Sequence, residues 1–283
     1  MATFFNRATL TYGTNSITSN TVSGEIVQTL SVAKNTSADE YYSGAELTYA
    51  VSLVNSGTTA LTGLTLTDNL GEFAITDKLS VVPLNYVLDS ILYYVNGVLQ
   101  PTPIIVTASP LVISGISVPA GGDAVIVYNA VANEYAPLVG GSVITNTVTV
   151  SGNSALGDIT ASETVAVANT PILSILKSLS PETVAENGTL TYTLHVENRG
   201  NAPVTSDLTV SDTFDPILEN ITVTYNGTTL TEGTDYTYDE TTGYFATLPS
   251  VITLPAATFV TDPATGEVVV MPGSAVIRIT GTV

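Results

Sequence analysis

Short runs in which apolar and polar residues alternate cover most of this chain, and Gly, Pro and Asn punctuate them. Period-two runs rich in Val, Ile, Thr and Tyr predict β-strands, so the sequence reads as all-β. The runs also recur. Residues 47–70, LTYAVSLVNSGTTALTGLTLTDNL, match residues 190–214, LTYTLHVENRGNAPVTSDLTVSDTF. VNGV at 95–98 matches YNGT at 225–228, and Asn-Gly between apolar runs is the strongest short hairpin signal. ISVPA (116–120) matches ITLPA (252–256), and AVIVYNAV (124–131) matches AVIRITGT (275–282). The shared order predicts two tandem immunoglobulin-like β-sandwich domains.

The repeats do not close alike. The first continues into APLVGGSVITNTVTVSG, which holds a strongly alternating strand with no counterpart after residue 282. Its counterpart stands at the other end of the chain: FFNRATLTYG (4–13) aligns with ITNTVTVSGN (144–153), so that Asn6 matches Asn146. ITSNTVSGEIVQTLSVAK (17–34) likewise resembles ITASETVAVANTPILSILK (159–177). We therefore expect an N-terminal donor-strand segment (1–27), a first sandwich (28–168) and a second sandwich (169–283) lacking its last strand.

Alternation also assigns faces. Leu30 and Val32 share a face with Lys34, and Leu173 and Ile175 share one with Lys177. Leu64, Leu66, Asp68 and Leu70 form one set; Leu208, Val210, Asp212 and Phe214 form its counterpart. Ile144, Asn146, Val148 and Val150 share a face, as do Phe4, Asn6, Ala8, Leu10 and Tyr12. Each repeat thus aims a Lys, an Asp and an Asn at one core, provided that the N-terminal strand completes the second. Lys34 precedes Asp68 by 34 residues and Lys177 precedes Asp212 by 35. A single lysine at a strand end ordinarily snorkels to solvent, and Asp and Asn often serve turns. Two matched sets on core parity, in a chain with only three lysines, argue for chemistry instead. A lysine facing a core is costly unless a partner answers its charge or it becomes neutral.

The run K…G-x-LTY-x-V-x-L-x-N-x-G…LTLTD-x-L…I-x-N-x-V-x-V resembles a bacterial surface-protein conserved repeat of unknown function, related to the isopeptide-forming fimbrial domains of Gram-positive bacteria. The likeness covers nearly all of both repeats. In such domains a lysine amine attacks an asparagine side-chain carbonyl, ammonia leaves, and a nearby acid assists. The resemblance implies Lys34 as nucleophile, Asn146 as electrophile and Asp68 as proton shuttle within one chain. It implies Lys177 and Asp212 in the second repeat, with Asn6 as their electrophile, from the same or another copy. The physics is compatible: burial disfavours charge, so neutral amine and protonated acid can coexist. A neutral amine is a competent nucleophile, and held contact supplies an intramolecular advantage.

Composition narrows the function. Twenty-five Asp and Glu stand against six Lys and Arg, for a net charge of −19, which repels nucleic acid and anionic membrane surfaces. Without cysteine, disulfides and thiolate metal sites are impossible. The N-terminus lacks a basic region followed by an apolar stretch, so no secretory signal is expected. Nor is there an apolar run long enough to insert in a membrane. His195, the only histidine, falls on the solvent parity of its strand. The acidic DPATGE loop (262–267) lacks the ligand spacing of a calcium site. No cofactor or metal is expected, and no turnover enzyme. The reading favoured is the subunit of a self-assembling, head-to-tail extracellular fibre on a cell or spore surface, a pilus-like appendage whose main partner is itself. An unidentified surface ligand or anchor protein remains open. The alternative is a two-domain adhesin or stalk-type binding module whose N-terminal strand folds back on its own second domain, since 28 extended residues between Asn6 and Lys34 span up to roughly 90 Å.

Overall fold

The computed structural model describes residues 2–26, 29–152 and 157–283. The expected boundary between residues 27 and 28 lies outside them. Among the described residues every regular element is a strand, and no helix is long and apolar enough to cross a membrane. The chain divides into two compact units, one comprising Met1–Pro137, Val143–Ala166 and Pro263–Gly266. The other comprises Leu138–Ser142, Val167–Asp262 and Glu267–Val283.

Two sheets build the first unit. One runs, in spatial order, Val98–Gln100, Leu92–Val95, Asp123–Ala132, Glu46–Asn55 and Leu30–Thr36, with Leu84–Tyr86 also on Asp123–Ala132. The other runs Ile104–Ala108, Leu111–Val118, Leu61–Asp68, Val143–Ser151, Ile159–Val167 and Glu40–Tyr41. The central strands bury alternate residues, as a sheet with one face on a core must. Tyr49, Val51, Leu53, Leu64, Leu66, Ile126, Tyr128 and Val148 are fully enclosed. The Asn-Gly hairpin forms as expected: Asn96 and Gly97 both take positive φ, 48° and 75°, which a two-residue type I′ turn requires. Asn226 and Gly227 repeat it at 47° and 84°.

One strut is common to both units. Buried Asn55 donates to the carbonyls of Thr59 (2.8 Å) and Pro119 (3.0 Å) and accepts from Gly57 N–H (3.0 Å). Its counterpart Asn198 donates to Ala202 (2.7 Å) and Pro255 (3.0 Å) and accepts from Gly200 (2.9 Å). A buried amide so satisfied ties the end of one sheet to a loop, and losing it would orphan several backbone groups.

The second unit pairs Leu173–Ser180, Thr189–Asn198, Gly273–Thr282, Glu219–Tyr225 and Thr228–Thr229 in one sheet. Facing it is a smaller sheet of Tyr236–Asp239, Tyr244–Thr247 and Ser211–Thr213. Leu194, Val196, Phe214, Val223, Phe245, Ile277 and Ile279 form its core. Among the described residues the Asp212 strand pairs with Tyr244–Thr247 on one side only. In the first unit the corresponding Asp68 strand carries Leu111–Val118 on one side and Val143–Ser151 on the other.

The N-terminal segment is a long ribbon. Ala2–Asn6 pairs with Val22–Ile26, and Thr9–Tyr12 with Asn15–Thr18. Every side chain from residue 3 to residue 23 is exposed, including Phe5 and Leu10 (each 70%) and Tyr12 (86%). Near its tip, Leu10 faces Ile17 and Thr9 faces Thr18. In the first unit Val150 faces Ile159 and Thr149 faces Thr160. By the sequence alignment these are the same pairs. The ribbon therefore reproduces the two strands that close the first sandwich, in register as far as Ala8 and Ser19. One residue of slip follows, so that Asn6 faces Val22.

Candidate cross-linking site

Three strands meet at the polar cluster of the first unit. Lys34 projects inward from Leu30–Thr36, the edge of one sheet, opposite Val51. Asp68 ends Leu61–Asp68 in the other sheet, and Asn146 lies on Val143–Ser151, which pairs with that strand. All three are buried, Lys34 at 3% exposure and the others at 0%. Local structure holds Asp68 in place. Leu70, two residues on, sits fully buried in the left-handed region at φ 52°, a strained state for a leucine. Its N–H donates to Asp68 Oδ1 at 2.9 Å. Asn69 Oδ1 meanwhile accepts from Gly71 N–H (3.0 Å) and Thr147 N–H (2.8 Å), clamping the turn to the Asn146 strand.

The side chains form one chain of contacts. Lys34 Nζ donates to Asp68 Oδ2. The Tyr128 hydroxyl donates to the same oxygen and accepts from Asn146 Nδ2 at 3.2 Å. The Asn146 carbonyl oxygen is buried without a hydrogen-bond partner. An unpaired buried acceptor costs about 1–3 kcal/mol, and such exceptions call for a functional explanation. Aromatic faces line the amine: Lys34 Nζ lies 4.9 Å from the Tyr49 ring centroid and 5.8 Å from that of Tyr128. Burial pushes the Lys34 pKa down to about 8, opposed by the Asp68 charge and hydrogen bond and by the charge of Glu163. Glu163 stands opposite Asn146 on the next strand. Burial, then the Asp68 charge, raises the Tyr128 hydroxyl well above the ordinary phenol value. The amine thus gives up its proton more readily than an exposed lysine, beside an amide whose carbonyl oxygen has no hydrogen-bond partner.

Tyr128, Tyr49 and Glu163 escaped the sequence reading. The signal was present in part, since Tyr49 and Tyr128 lie on the core parity of LTYAV and AVIVYNAV. Nothing in one strand, however, announces that two tyrosines will converge on a lysine from a third.

In the second unit Lys177 Nζ contacts Asp212 Oδ2 and lies 4.3 Å from the Tyr192 ring centroid and 5.4 Å from that of Phe214. The pair matches Lys34–Asp68, but its setting differs. The Lys177 side chain is 41% exposed. Leu173, matching the buried Leu30, is 45% exposed, and Ile175 is 58% exposed. Core parity had predicted an inward Lys177, but among the described residues no strand covers the face, and the side chain reaches solvent. An apolar groove of about 310 Å³ is lined by Leu173, Ile175, Val196, Leu208 and Val210; in the first unit Leu66, the counterpart of Val210 by the sequence repeat, is paired with Val150. Asn6 joins neither cluster; it is exposed on the ribbon, opposite Val22. His195 is exposed. Among the described residues no group of three or more His, Cys, Asp or Glu is placed to hold a metal ion.

The class these features define is an all-β chain of two units, with one closed and one open lysine–aspartate face. No protein-family model matches the sequence, and no curated protein does. Similar solved structures include BcpA, the major pilin subunit of Bacillus cereus, at 12% identity over 95% of this chain and 73% of that one, TM-score 0.36. They also include a fragment of the major pilin GBS80 of Streptococcus agalactiae, at 13% identity over 86% and 79%, TM-score 0.36. A family 123 glycoside hydrolase from Clostridium perfringens is similar at 13% identity and TM-score 0.32, over 50% of this chain. The chain spans 28% of that hydrolase.

Proposed function

We propose that this chain is the subunit of a self-assembling, head-to-tail extracellular fibre, a pilus-like appendage. The N-terminal ribbon of one copy completes the second unit of the next, and lysine–asparagine isopeptide bonds lock the product. One observation carries the reading: two equivalent lysine-bearing faces differ in their cover, and the chain holds a spare copy of the covering strands. The Lys34 face lies under the Asn146 strand, the Lys177 face is open, and residues 8–19 repeat part of the covering pair in matching register. Phe4, Leu10 and Tyr12 of the ribbon expose the apolar side chains that such a groove would bury. A strand added to an open sheet edge is an established mode of association, and a contact that does not close on itself yields an open filament.

The chemistry follows from the closed site. The Lys34 amine attacks Asn146 Cγ, a C–N bond forms, the bond from Cγ to Nδ2 breaks, and ammonia leaves with the displaced proton. Asp68 shuttles that proton. Lys177, Asp212 and Asn6 of a neighbouring copy repeat the reaction between subunits. Each site reacts once, so the chain is its own substrate. A surface rich in Thr, Ser and Asn, with 11% charged residues, suits an exposed fibre.

Electron microscopy of the purified full chain tests this. Filaments are expected from the wild type, and a chain lacking residues 2–13 should remain unassembled. Filaments formed by the truncated chain would overturn the donor-strand reading.

A further inference from the structure

The two lysine sites differ at one buried position that the Lys–Asp–Asn scheme does not use. In the first unit Tyr128 stands between the acid and the amide, giving its proton to Asp68 Oδ2 and receiving one from Asn146 Nδ2. In the second repeat the matching residue is Ile279, which has no polar atom. Tyr128 is wholly buried, so no solvent molecule needs to be supposed for this link. The nitrogen it touches is the one that must depart, and an amide nitrogen leaves only if it is protonated.

Resting on the Lys34–Asn146 bond proposed above, we propose that Tyr128 is a catalytic residue of that reaction, the acid that protonates the leaving nitrogen. Asp68 takes a proton from the Lys34 ammonium, and the neutral amine attacks Asn146 Cγ. As the C–Nδ2 bond breaks, the phenol gives its proton to Nδ2 and regains one from the Asp68 carboxyl. Ammonia leaves; an amide links Lys34 to Asn146, and Asp68 is again a carboxylate. The second proton of the original ammonium departs with the ammonia as ammonium, so charge and atoms balance. A phenol in this place explains why a single carboxylate oxygen serves both the amine and the amide: Asp68 Oδ2 contacts Lys34 directly and Asn146 through Tyr128. The second unit has the direct contact, Lys177 to Asp212, and lacks the bridge. Closure there has Asp212 but no bridging phenol, and we expect it to be the slower of the two.

The test uses the full chain carrying Lys177→Ala, so that only the first site reports. Protein made in a cell-free reaction is quenched in acid at intervals and its intact mass is followed for the loss of one ammonia. Tyr128→Phe should slow that loss by roughly 10²-fold, the usual contribution of a positioned general acid. A 3,5-difluorotyrosine at 128 keeps the shape and packing but makes the hydroxyl more acidic, and it should alter the rate. Loss at the parental rate in Tyr128→Phe would overturn the role of the hydroxyl. If Tyr128→Phe does not fold, the fluorinated chain decides: an unchanged rate there also overturns it. No ammonia loss in the parent chain would overturn the bond itself, an outcome distinct from both.

Discussion

At the scale of one residue, burial decides what Lys34 can do. An exposed lysine is a cation near neutrality, whereas this amine, enclosed by aromatic rings beside a carboxylate, has a pKa pushed down to about 8. A lowered lysine pKa makes an unreacted site a liability for folding. Below the folded value both states hold the proton, and the folded state bears the full cost of burying the charge. Between about 8 and the unfolded value of 10.5 the folded state has shed its proton while the unfolded chain keeps it, so stability must rise with pH. Asn146→Ala removes the electrophile and leaves the amine in place. We predict that this variant gains stability from pH 7 to pH 10, by at most about 3 kcal/mol at roughly 1.4 kcal/mol per unit. Above pH 10 buried Tyr128 reverses the trend, because its pKa is raised in the fold and the unfolded phenol ionises first. Urea titrations at pH 7 and pH 10 measure it; a flat or falling profile would contradict a neutral buried amine. Lys34, Asp68 and Asn146 were legible in the sequence because strand parity fixes which side chains share a core. Tyr128 was not, for its role arises from contacts across two sheets, which no single alternating run encodes.

Among the elements, the ribbon shows what alternation reveals and what it leaves out. Residues 4–13 could be matched to 144–153 because register and side-chain chemistry repeat. That Thr9–Tyr12 is already paired with Asn15–Thr18 is a property of the hairpin, and it changes the expected donor from one strand to two. In the first unit Val143–Ser151 is paired on both edges, by Leu61–Asp68 and by Ile159–Val167. A lone strand docked in the second unit would leave its outer edge unpaired, whereas a hairpin brings its own cover. It also arrives with part of its ordering entropy already spent. A synthetic peptide of residues 2–26 should therefore bind the chain lacking residues 2–13 at least about tenfold more tightly than residues 4–13 alone, a gain of about 1.4 kcal/mol. Calorimetric titration compares them; equal affinities would return the donor to a single strand. The parity of Lys177, on the face of Leu173 and Ile175, was legible too. The exposure of Lys177 was not, because parity states which way a side chain points and says nothing of whether anything lies over it.

For the molecule as a whole, the proposed strand insertion and the proposed covalent closure are separable, and Asn6→Ala is the variant that separates them. Asn6→Ala removes the amide proposed to react with Lys177 but keeps Phe4, Leu10 and Tyr12, all exposed on the ribbon. Burying each of those side chains contributes about 1.5–3 kcal/mol, so docking should survive the substitution and filaments should look normal in the microscope. Resistance to boiling in SDS should disappear, because no covalent bond would then join one subunit to the next. Asp212→Ala tests the same step from the other side: it leaves donor and groove intact but removes the lysine's partner, so ladders should form slowly. Wild-type filaments should run as a detergent-resistant ladder, and Asn6→Ala filaments as a single monomer band. A ladder that persists in Asn6→Ala would mean that some other linkage holds the fibre, and the second lysine site would then need a different partner from the one its repeat implies.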